Sequence, residues 1–506
     1  MSEDIDRVAE MFKGKCIFVS GGTGFMGKVL VEKILRSCTG VKTMYLLVRP
    51  KKGKDPKQRL EEIFSSALFE TVKNQRGLAE LMSHCKIVSG DVTQINLGIS
   101  EDDRKEIIEN VDIIYHMAAT IRFDSPLKEA VLLNTRGTKF MLDLAKECKN
   151  LKMFAHVSTS YCHLHEKVLL EKPYDPPANP HDIIKCVEWM DEDLVNSMTK
   201  KILGNLPNTY AFTKALAEGL VVEAMQTIPA IIIRPSIVIP VWKEPIPGWT
   251  DNINGPAGLL IGAGKGVIRT MYCNQTGYAD YLPVDIAVNG LLVVTWNYIA
   301  NNDKERNVLH FTSSDEFKVS WQEIVELGRR VIEERLPLNG VAWYPGGSMK
   351  SSKILHYICL VLFHFIPAVL VDCLLYALGY KPVLCRVQRR IMKGFEVFEY
   401  YANNQWDFVN EHASYVRGIM NPLERKIYKI DGDGLDLMDY FEACIHCSRL
   451  YVLNETDDTL PAARRHMRVM YWVDKLTKLG FFCLMFYWIS GFFFTTSTTL
   501  EPIAEL

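Results

Sequence analysis

Short apolar runs rich in β-branched residues alternate with amphipathic stretches over residues 15–236. The apolar runs predict six strands, over residues 16–20, 44–48, 86–90, 113–117, 153–159 and 230–236. The stretches between them, such as residues 28–36 and 125–146, have helical patterning. Strands that alternate with helices in this way are typical of a parallel sheet covered on both faces. The pattern therefore predicts an α/β fold, a Rossmann-type doubly wound parallel sheet.

The pattern changes beyond these strands. Residues 241–280 are rich in Gly, Pro, Trp and Asn, which predicts shaped loops of the kind that lie over functional sites. Residues 354–380 are strongly apolar but contain His356, His364 and Asp372. A spanning helix would place this carboxylate in lipid at a cost of roughly 2.5–3.5 kcal/mol. We therefore favour helices that pack on protein or lie at a membrane surface over a membrane-spanning pair.

The last apolar segment, residues 479–500, contains no charged residue. As a helix, its 22 residues would extend roughly 33 Å, enough to cross a hydrocarbon core of about 30 Å. Lys475 and Lys478 precede it and Glu501 follows it, so the bulk of the chain is expected in the cytosol. We therefore expect four parts: a Rossmann domain with substrate-binding loops (1–340), a mainly helical C-terminal domain (341–460), a basic linker (461–478) and a C-terminal membrane helix (479–500).

The composition narrows the possible functions. The 506 residues carry a net charge of −2, so no overall positive field exists to bind nucleic acid, and 48% apolar residues exclude a disordered chain. The 13 cysteines have no regular spacing, which indicates a reduced, cytosol-facing protein. Cys444 and Cys447 form one CxxC pair, but zinc needs four ligands and no second pair lies nearby, so we expect no metal. The acidic N-terminus lacks the apolar stretch of a secretory signal.

A glycine-rich turn, Ser20-Gly-Gly-Thr-Gly-Phe-Met-Gly27, follows the first predicted strand. In such a turn the first glycine allows the tight bend, the second lets the backbone approach a pyrophosphate, and the third allows close packing of helix on strand. The following helix points its N-terminus at the phosphates. The turn therefore predicts a dinucleotide site. Its expected cofactor-binding residues are Gly21, Thr23, Gly24, Phe25 and Gly27.

The end of the second predicted strand indicates which dinucleotide binds. Enzymes that use NAD usually carry Asp or Glu there for the ribose 2′-hydroxyl, whereas this chain has Arg49, followed by Lys51 and Lys52. A guanidinium fork matches a phosphate, so we expect NADPH. Further contacts are expected at later strand ends: Asp91 and Val92 at the adenine, Ala118 and Ala119 where the cofactor passes closely, and Pro235 and Ser236 after Arg234 at the nicotinamide. Asp91 has capping of a turn as an alternative role.

Tyr210 and Lys214 form a YxxxK pattern in a predicted helix, which places both side chains on one face. A neighbouring ammonium and an oxidised nicotinamide favour the phenolate, so Tyr210 is a candidate to exchange a proton with a carbonyl oxygen. Lys214 is also expected to contact the cofactor. Thr159, at the end of the fifth predicted strand, is expected to hydrogen-bond the same oxygen, with Ser158 and Ser160 as alternatives. Tyr161 competes for the phenol role but has His at the fourth following position.

Together these residues resemble the extended short-chain dehydrogenase/reductases, and three further segments sharpen the resemblance. His116 to Asp124 (HMAATIRFD), the strand end His156 to Thr159 and the loop Trp242 to Pro256 (WKEPIPGWTDNINGP) look like the alcohol-forming fatty acyl-CoA reductases. The resemblance runs over about residues 13–460 and includes that family's C-terminal domain. One departure is Ser20, where Thr is common.

The resemblance implies an NADPH-dependent, four-electron reduction of a long-chain fatty acyl-CoA to a fatty alcohol, through an aldehyde that is usually not released. Thr159 and Tyr210 would hold the carbonyl oxygen in both hydride transfers. Lys265 and Arg269 are candidates to meet the CoA phosphates, with a solvated loop as the alternative. The endoplasmic reticulum is favoured as location and the peroxisome is the alternative. Two other functions stay open: a single-hydride membrane-bound dehydrogenase of hydroxysteroid or nucleotide-sugar type, and a catalytically silent NADP-binding scaffold.

Overall fold

The computed structural model describes residues 5–50, 55–252, 256–313, 316 and 318–497. Lys51 and Lys52 of the basic turn, and residues 253–255 of the loop after Trp242, lie outside the described residues.

A seven-stranded sheet, parallel throughout, forms the centre of the molecule. Its strands, in order across the sheet, are Val308–Phe311, Ala230–Pro235, Met153–Val157, Ile113–His116, Cys16–Ser20, Thr43–Val48 and Cys85–Ser89. The order reverses between Cys16–Ser20 and Ile113–His116, which is where an open α/β sheet binds its ligand. This arrangement confirms the predicted Rossmann-type fold. The seventh strand, Val308–Phe311, was not among the predicted ones.

Helices cover both faces of the sheet. The described α-helices are Arg7–Phe12, Phe25–Ser37, Pro56–Phe64, Glu70–Arg76, Leu78–Ser83, Glu101–Asn110, Leu127–Ala130, Gly137–Glu147, Pro180–Trp189, Glu192–Leu203, Thr209–Ala224, Pro256–Gly264, Val284–Ala300, Trp321–Arg330, Lys353–Leu360, Ile366–Ala377, Leu384–Ala402, Glu411–Gly418, Pro422–Ile427, Leu437–Cys447 and Leu460–Ser497. Alternate residues of one strand enter two different cores: Ile17 and Val19 pack with Val284–Ala300, whereas Phe18 packs on the side of Thr209–Ala224. This alternation follows from the two-residue period of a strand.

Shorter elements connect these helices. The short strands are Val168–Leu169, Ile237–Ile239, Thr270–Tyr272, Tyr278–Ala279, Tyr281–Pro283, Val319–Ser320, Ser348–Lys350 and Asp407–Phe408. Four segments are π-helical, Val131–Arg136, Val331–Arg335, Val361–Phe365 and Ser448–Val452, and three are 3-10 helices, Ala67–Phe69, Ile95–Gly98 and Asp457–Thr459. The region that the composition predicted as loops, 241–280, therefore contains regular elements, because Pro256–Gly264 is a helix of apolar and small residues.

The helical C-terminal part is joined to the Rossmann part by strand pairing and ion pairs. Asp407–Phe408 pairs with Val168–Leu169, and Ser348–Lys350 pairs with Thr270–Tyr272. Arg7 donates to the buried carboxylate of Glu424 at 2.6 Å. The C-terminal part therefore packs on the same body that carries the glycine-rich turn.

One helix of the described residues is long and apolar enough to cross a bilayer, and it is Lys353–Ala377. Its apolar side chains face outward, whereas its polar ones face the protein. His364 Nε2 accepts from the Arg269 amide at 2.9 Å, and Asp372 accepts from the Cys385 amide at 2.8 Å. The polar contacts fit a helix packed on protein and the outward apolar side chains fit a helix at a membrane surface, so both expected alternatives stay predictions. Residues 479–497 of the predicted terminal anchor form the end of the helix Leu460–Ser497, whereas residues 498–500 and Glu501 lie outside the described residues. The anchor stays a prediction.

Candidate active site

The glycine-rich turn joins the strand Cys16–Ser20 to the helix Phe25–Ser37. Gly21 has φ of 80°, and a Cβ there would lie 2.7 Å from the Ala118 amide nitrogen. A Cβ on Gly27 would lie 2.8 Å from the Gly22 Cα. Only glycine fits these two positions, because the turn is packed against the next strand end and against its own helix.

The turn leaves room for a phosphate at the helix N-terminus. Gly24 is the exposed member of the turn and is the N-cap of the helix, without a side-chain cap. Its first amide groups are therefore available to an anion. Beside it, the Phe25 ring stacks on Trp249 with 5.7 Å between ring centroids, so the loop after Trp242 packs directly on the dinucleotide turn. Ser20, which departs from the common Thr, lies 2.7 Å from His116 Nδ1 through its Oγ.

The other predicted cofactor residues lie along the same edge of the sheet. Arg49 is exposed at the end of Thr43–Val48. Asp91 accepts from the Thr93 amide at 2.9 Å, so it does cap a turn. The side chain of Val92 is buried against Gly137, which leaves only its backbone to meet a cofactor. Ala118 and Ala119 follow Ile113–His116 and are half-buried, with Ala118 against Gly21.

The helix Thr209–Ala224 carries Tyr210 and Lys214. Its N-cap is Asn208, whose side-chain oxygen accepts from the Ala211 amide at 2.9 Å, which fixes the first turn. Thr159 lies two residues beyond the strand Met153–Val157 and is almost fully buried. The helix start and the strand end thus bring together the three predicted catalytic residues at the carboxyl edge of the sheet.

Burial decides the protonation of Tyr210. Burial raises the pKa of its phenol well above the usual range, and a hydrogen bond with Thr159 opposes this only in part. Tyr210 is therefore a neutral phenol at physiological pH, with a proton to donate. Lys214 is not among the groups that shift the pKa of this phenol, and the expected effect of an oxidised nicotinamide on it stays a prediction.

The Lys214 ammonium points back to the sheet. Its Nζ donates to the Val157 carbonyl at 2.7 Å. Burial lowers the pKa of Lys214 to about 8, although the Glu218 carboxylate raises it in part. An ammonium has three N–H donors, and Val157 takes one of them. Among the described residues the other two have no hydrogen-bond partner, so they are available to a bound cofactor or substrate.

The alternatives to Thr159 and Tyr210 are engaged elsewhere. Ser160 Oγ donates to the Arg234 carbonyl at 2.8 Å, and Ser158 Oγ lies 3.9 Å from Cys162 Sγ. The Tyr161 ring packs edge-on against Trp406 and Phe408, and its phenol is buried beside the Asp280 backbone. The geometry therefore favours Thr159 and Tyr210.

Three aromatic and polar neighbours of Tyr210 were not predicted from the sequence. The Phe123 ring lies between Tyr210 and Tyr401, 5.3 Å and 5.4 Å from them by ring centroids. Tyr401 accepts from Asn208 Nδ2 at 2.9 Å through its hydroxyl. Tyr401 belongs to Leu384–Ala402, so the C-terminal part completes the wall beside Tyr210.

A buried charge cluster lies behind Lys214. Glu218 accepts from Arg234 Nη2 at 2.7 Å and contacts His163 Nε2 at 2.9 Å. Burial by itself would raise the pKa of Glu218, but Arg234 and His163 hold it well below its usual value. Cys162, His163 and Glu218 offer three ligand atoms within 4.8 Å of one another. The Arg234 guanidinium already neutralises the carboxylate there and opposes a metal cation.

Two more predicted residues complete the edge. Pro235 ends the strand Ala230–Pro235, and Arg234 turns into the buried cluster rather than toward a cofactor. Ser236 Oγ is buried without a hydrogen-bond partner among the described residues. An unpaired buried hydroxyl at a sheet edge fits a site that a polar ligand completes.

The two basic residues considered for the CoA phosphates are bound within the protein. Lys265 Nζ donates to Glu455 at 2.8 Å, and the Arg269 guanidinium lies 3.6 Å from the Asp474 carboxylate. Because both side chains are paired within the protein, Lys265 and Arg269 form neither the predicted CoA phosphate site nor the solvated loop that was the alternative.

Comparisons with known proteins identify the family of this chain. The sequence model of a family described as Male sterility protein matches residues 19–291, and a second model with the same description matches residues 363–455. "Fatty acyl-CoA reductase 1" of Rattus norvegicus is 38% identical over 460 residues, which is 91% of this chain and 89% of the relative. "Fatty acyl-CoA reductase wat" of Drosophila melanogaster is 34% identical over 96% of this chain and 93% of its own length.

Among solved structures, two reductase domains share the fold. The terminal R domain of the myxalamid PKS-NRPS pathway is 18% identical, with a TM-score of 0.56, and the alignment covers 87% of this chain and 92% of that one. The R domain of a Mycobacterium tuberculosis non-ribosomal peptide synthetase is 17% identical, also with a TM-score of 0.56, over 90% of this chain and 97% of that one.

Proposed function

This chain belongs to the fatty acyl-CoA reductases, and we propose that it uses NADPH to reduce a long-chain fatty acyl-CoA to the primary alcohol in two hydride transfers. The observation that carries the proposal is the meeting of Thr159, Tyr210 and Lys214 at the sheet edge that also carries the glycine-rich turn. Family membership supports reduction of fatty acyl-CoA. The preference for NADPH rests on Arg49 and on the family resemblance, and the two hydride transfers are what the resemblance implies.

The residues of the site fit this reaction. When bound, NADPH supplies hydride to the carbonyl carbon. Thr159 and Tyr210 hold the carbonyl oxygen, and the neutral phenol of Tyr210 donates its proton as negative charge develops there. The resulting thiohemiacetal returns its hydroxyl proton to Tyr210 and loses CoA as the thiolate, which leaves an aldehyde and a phenol that can donate again. The same two side chains then hold the aldehyde oxygen for the second transfer, and Lys214 keeps positive charge beside them.

The stoichiometry tests the two-step proposal. Purified protein given NADPH and a pool of acyl-CoA esters is expected to consume two NADPH for each alcohol formed, with one CoA thiol released. NADPH oxidation by absorbance, thiol release and product mass measure the three quantities. A ratio near one, with alcohol formed only from added aldehyde or with a ketone as substrate, would support the single-hydride dehydrogenase.

Arg49 tests the choice of cofactor. Replacing it with Ala is expected to raise the KM for NADPH by roughly 10- to 100-fold, because a charged hydrogen bond to the 2′-phosphate is lost. The KM for NADH should change little, since NADH has no phosphate there. Lys105→Ala, at another exposed basic residue, is the control and should leave both values unchanged. Equal losses with the two cofactors would contradict the assignment.

We also propose that the enzyme binds a membrane through two apolar surfaces on one side of the body. Arg269 supports their proximity, because its amide donates to His364 in Lys353–Ala377 and its guanidinium pairs with Asp474 in Leu460–Ser497. Beyond Asp474, the terminal helix exposes large apolar side chains such as Phe482 and Phe486. The cytosol-facing orientation follows from the basic residues before this segment. The division of the chain into four parts stays a prediction.

Membrane binding is measurable by flotation with phospholipid vesicles. The double variant Phe482→Asp/Phe486→Asp is expected to float much less than the wild type, since two charges enter the apolar face. Trp189→Asp is the control, because Trp189 is as exposed as the two phenylalanines but lies in the Rossmann part. Unchanged flotation of the double variant would show that the terminal helix does not anchor the protein.

A further inference from the structure

Two apolar cavities adjoin each other beside the helix Pro256–Gly264. The proximal cavity is lined by Ile239, Pro240, Ala257 and Tyr440 among others. The distal cavity is lined by Ala263, Ile268, Thr270 and Met349 among others. Four residues line both: Leu260, Tyr281, Ile324 and Ile332.

The proximal cavity begins near Ser236, the residue that the sequence assigns to the nicotinamide. Ile239 ends a short strand, Ile237–Ile239, that starts directly after Ser236. That strand pairs in parallel with Tyr281–Pro283, and the Asp280 backbone just before it lies beside Tyr161. The Tyr281 hydroxyl is buried without a hydrogen-bond partner among the described residues, although it lines both cavities.

The distal cavity ends beside the exposed apolar helix. Arg269 and Thr270 line the cavity, and the amides of both donate to His364, at 2.9 Å and 3.2 Å. His364 lies in Lys353–Ala377, the helix whose apolar side chains face outward. The two cavities thus lead from the reacting end of the site toward the surface that would meet lipid.

We propose that the two cavities together hold the acyl chain of the substrate, with the carbonyl at the Ile239 end and the methyl end toward Lys353–Ala377. This inference rests on the proposed function, which supplies the long acyl chain. An extended hydrocarbon is the ligand that such walls fit, because they offer apolar surface and few polar groups. The depth of the distal cavity then sets which chain lengths are reduced.

Two alanines on one helix allow the two cavities to be tested separately. Ala257 lines only the proximal cavity and Ala263 only the distal one, six residues and roughly 9 Å apart along Pro256–Gly264. Replacing either with Phe fills part of one cavity with the same side chain. Ala79→Phe, at an exposed alanine of the helix Leu78–Ser83, is the matched control.

The test compares kcat/KM for decanoyl-CoA and octadecanoyl-CoA in the full-length protein. Ala257→Phe is expected to lower both values by about 100-fold, because every chain passes the proximal cavity. Ala263→Phe is expected to lower the octadecanoyl value by about 50-fold and the decanoyl value by less than about 3-fold. Ala79→Phe should change neither. Equal losses for the two substrates in Ala263→Phe, or no loss in either cavity variant, would overturn the proposal.

A binding measurement separates this inference from the proposed function. The fluorescent chain of parinaroyl-CoA reports binding without turnover, and Ala257→Phe should weaken it more than Ala79→Phe does. Binding of this kind by a wild type that reduces no acyl-CoA would refute the proposed function and retain the cavity. Where a Phe variant melts below the wild type, Ala257→Leu and Ala263→Leu replace the pair. Their chain-length ratios must then shift in the same directions, and unshifted ratios would reject the inference.

Discussion

Replacing Tyr210 with Phe is expected to lower kcat by roughly 10²- to 10⁴-fold on both acyl-CoA and aldehyde, with NADPH affinity unchanged. Burial keeps the Tyr210 phenol neutral, so it has a proton to donate. Phe has no such proton to give to the carbonyl oxygen, and the rate therefore falls. NADPH affinity persists because the glycine-rich turn and Arg49 are untouched. The measurements are single-turnover rates with each substrate and a fluorescence titration with NADPH.

Tyr161→Phe is the control variant for Tyr210→Phe. Its phenol lies beside the Asp280 backbone and its ring packs on Trp406, so removing the hydroxyl should change kcat by less than about 10-fold. The reverse outcome, with the large loss in Tyr161→Phe and a small one in Tyr210→Phe, would transfer the proton-donor role to Tyr161. Comparable rates in all three proteins would refute a phenol as the proton donor.

The sheet was predictable from the sequence because its six buried strands are short apolar runs separated by amphipathic helices. The seventh strand, Val308–Phe311, was not predicted from the sequence. His310 is buried there and contacts the Val409 carbonyl and Arg234, both distant in sequence. Tertiary contacts, which no local pattern records, thus hold this edge of the sheet.

The reactive residues of the site were predictable for a different reason. The glycine-rich turn and the Tyr210–Lys214 pair are local patterns, with spacings fixed by one turn and one helix. Phe123, Tyr401 and Glu218 were not predicted, because their roles depend on segments that meet only in the fold. The raised pKa of Tyr210 was also beyond the sequence, since it comes from burial of the phenol in the fold.

Glu218→Ala is expected to lower the free energy of unfolding by roughly 3–5 kcal/mol, because it leaves the Arg234 guanidinium buried without its carboxylate. Chemical denaturation at neutral pH measures this loss. Glu223→Ala is the matched control on the same helix, since Glu223 pairs with His181 at the surface and should cost less than about 1 kcal/mol. Equal stability of the two variants would show that the buried pair contributes nothing.

The stability difference between the wild type and Glu218→Ala should decrease as the pH falls. The pKa of Glu218 is held well below its usual value, so its contribution is complete at neutral pH and is lost only as the pH falls through that lowered pKa. The stability difference between wild type and Glu218→Ala should therefore shrink on acidification. Denaturation curves at a series of acidic pH values measure it, and a difference that grows toward low pH would contradict the assignment.

Glu218→Gln keeps the shape of the side chain and isolates its charge. The carboxylate raises the pKa of Lys214, which burial has lowered to about 8, so removing the charge should lower that pKa further. If kcat requires the Lys214 ammonium, its decline on the alkaline side should begin at a lower pH in Glu218→Gln than in the wild type. A purely structural role for Glu218 would reduce the amount of folded enzyme and leave the shape of the pH profile unchanged. A shifted profile in the folded fraction would therefore connect the buried cluster to the reacting carbonyl through Lys214.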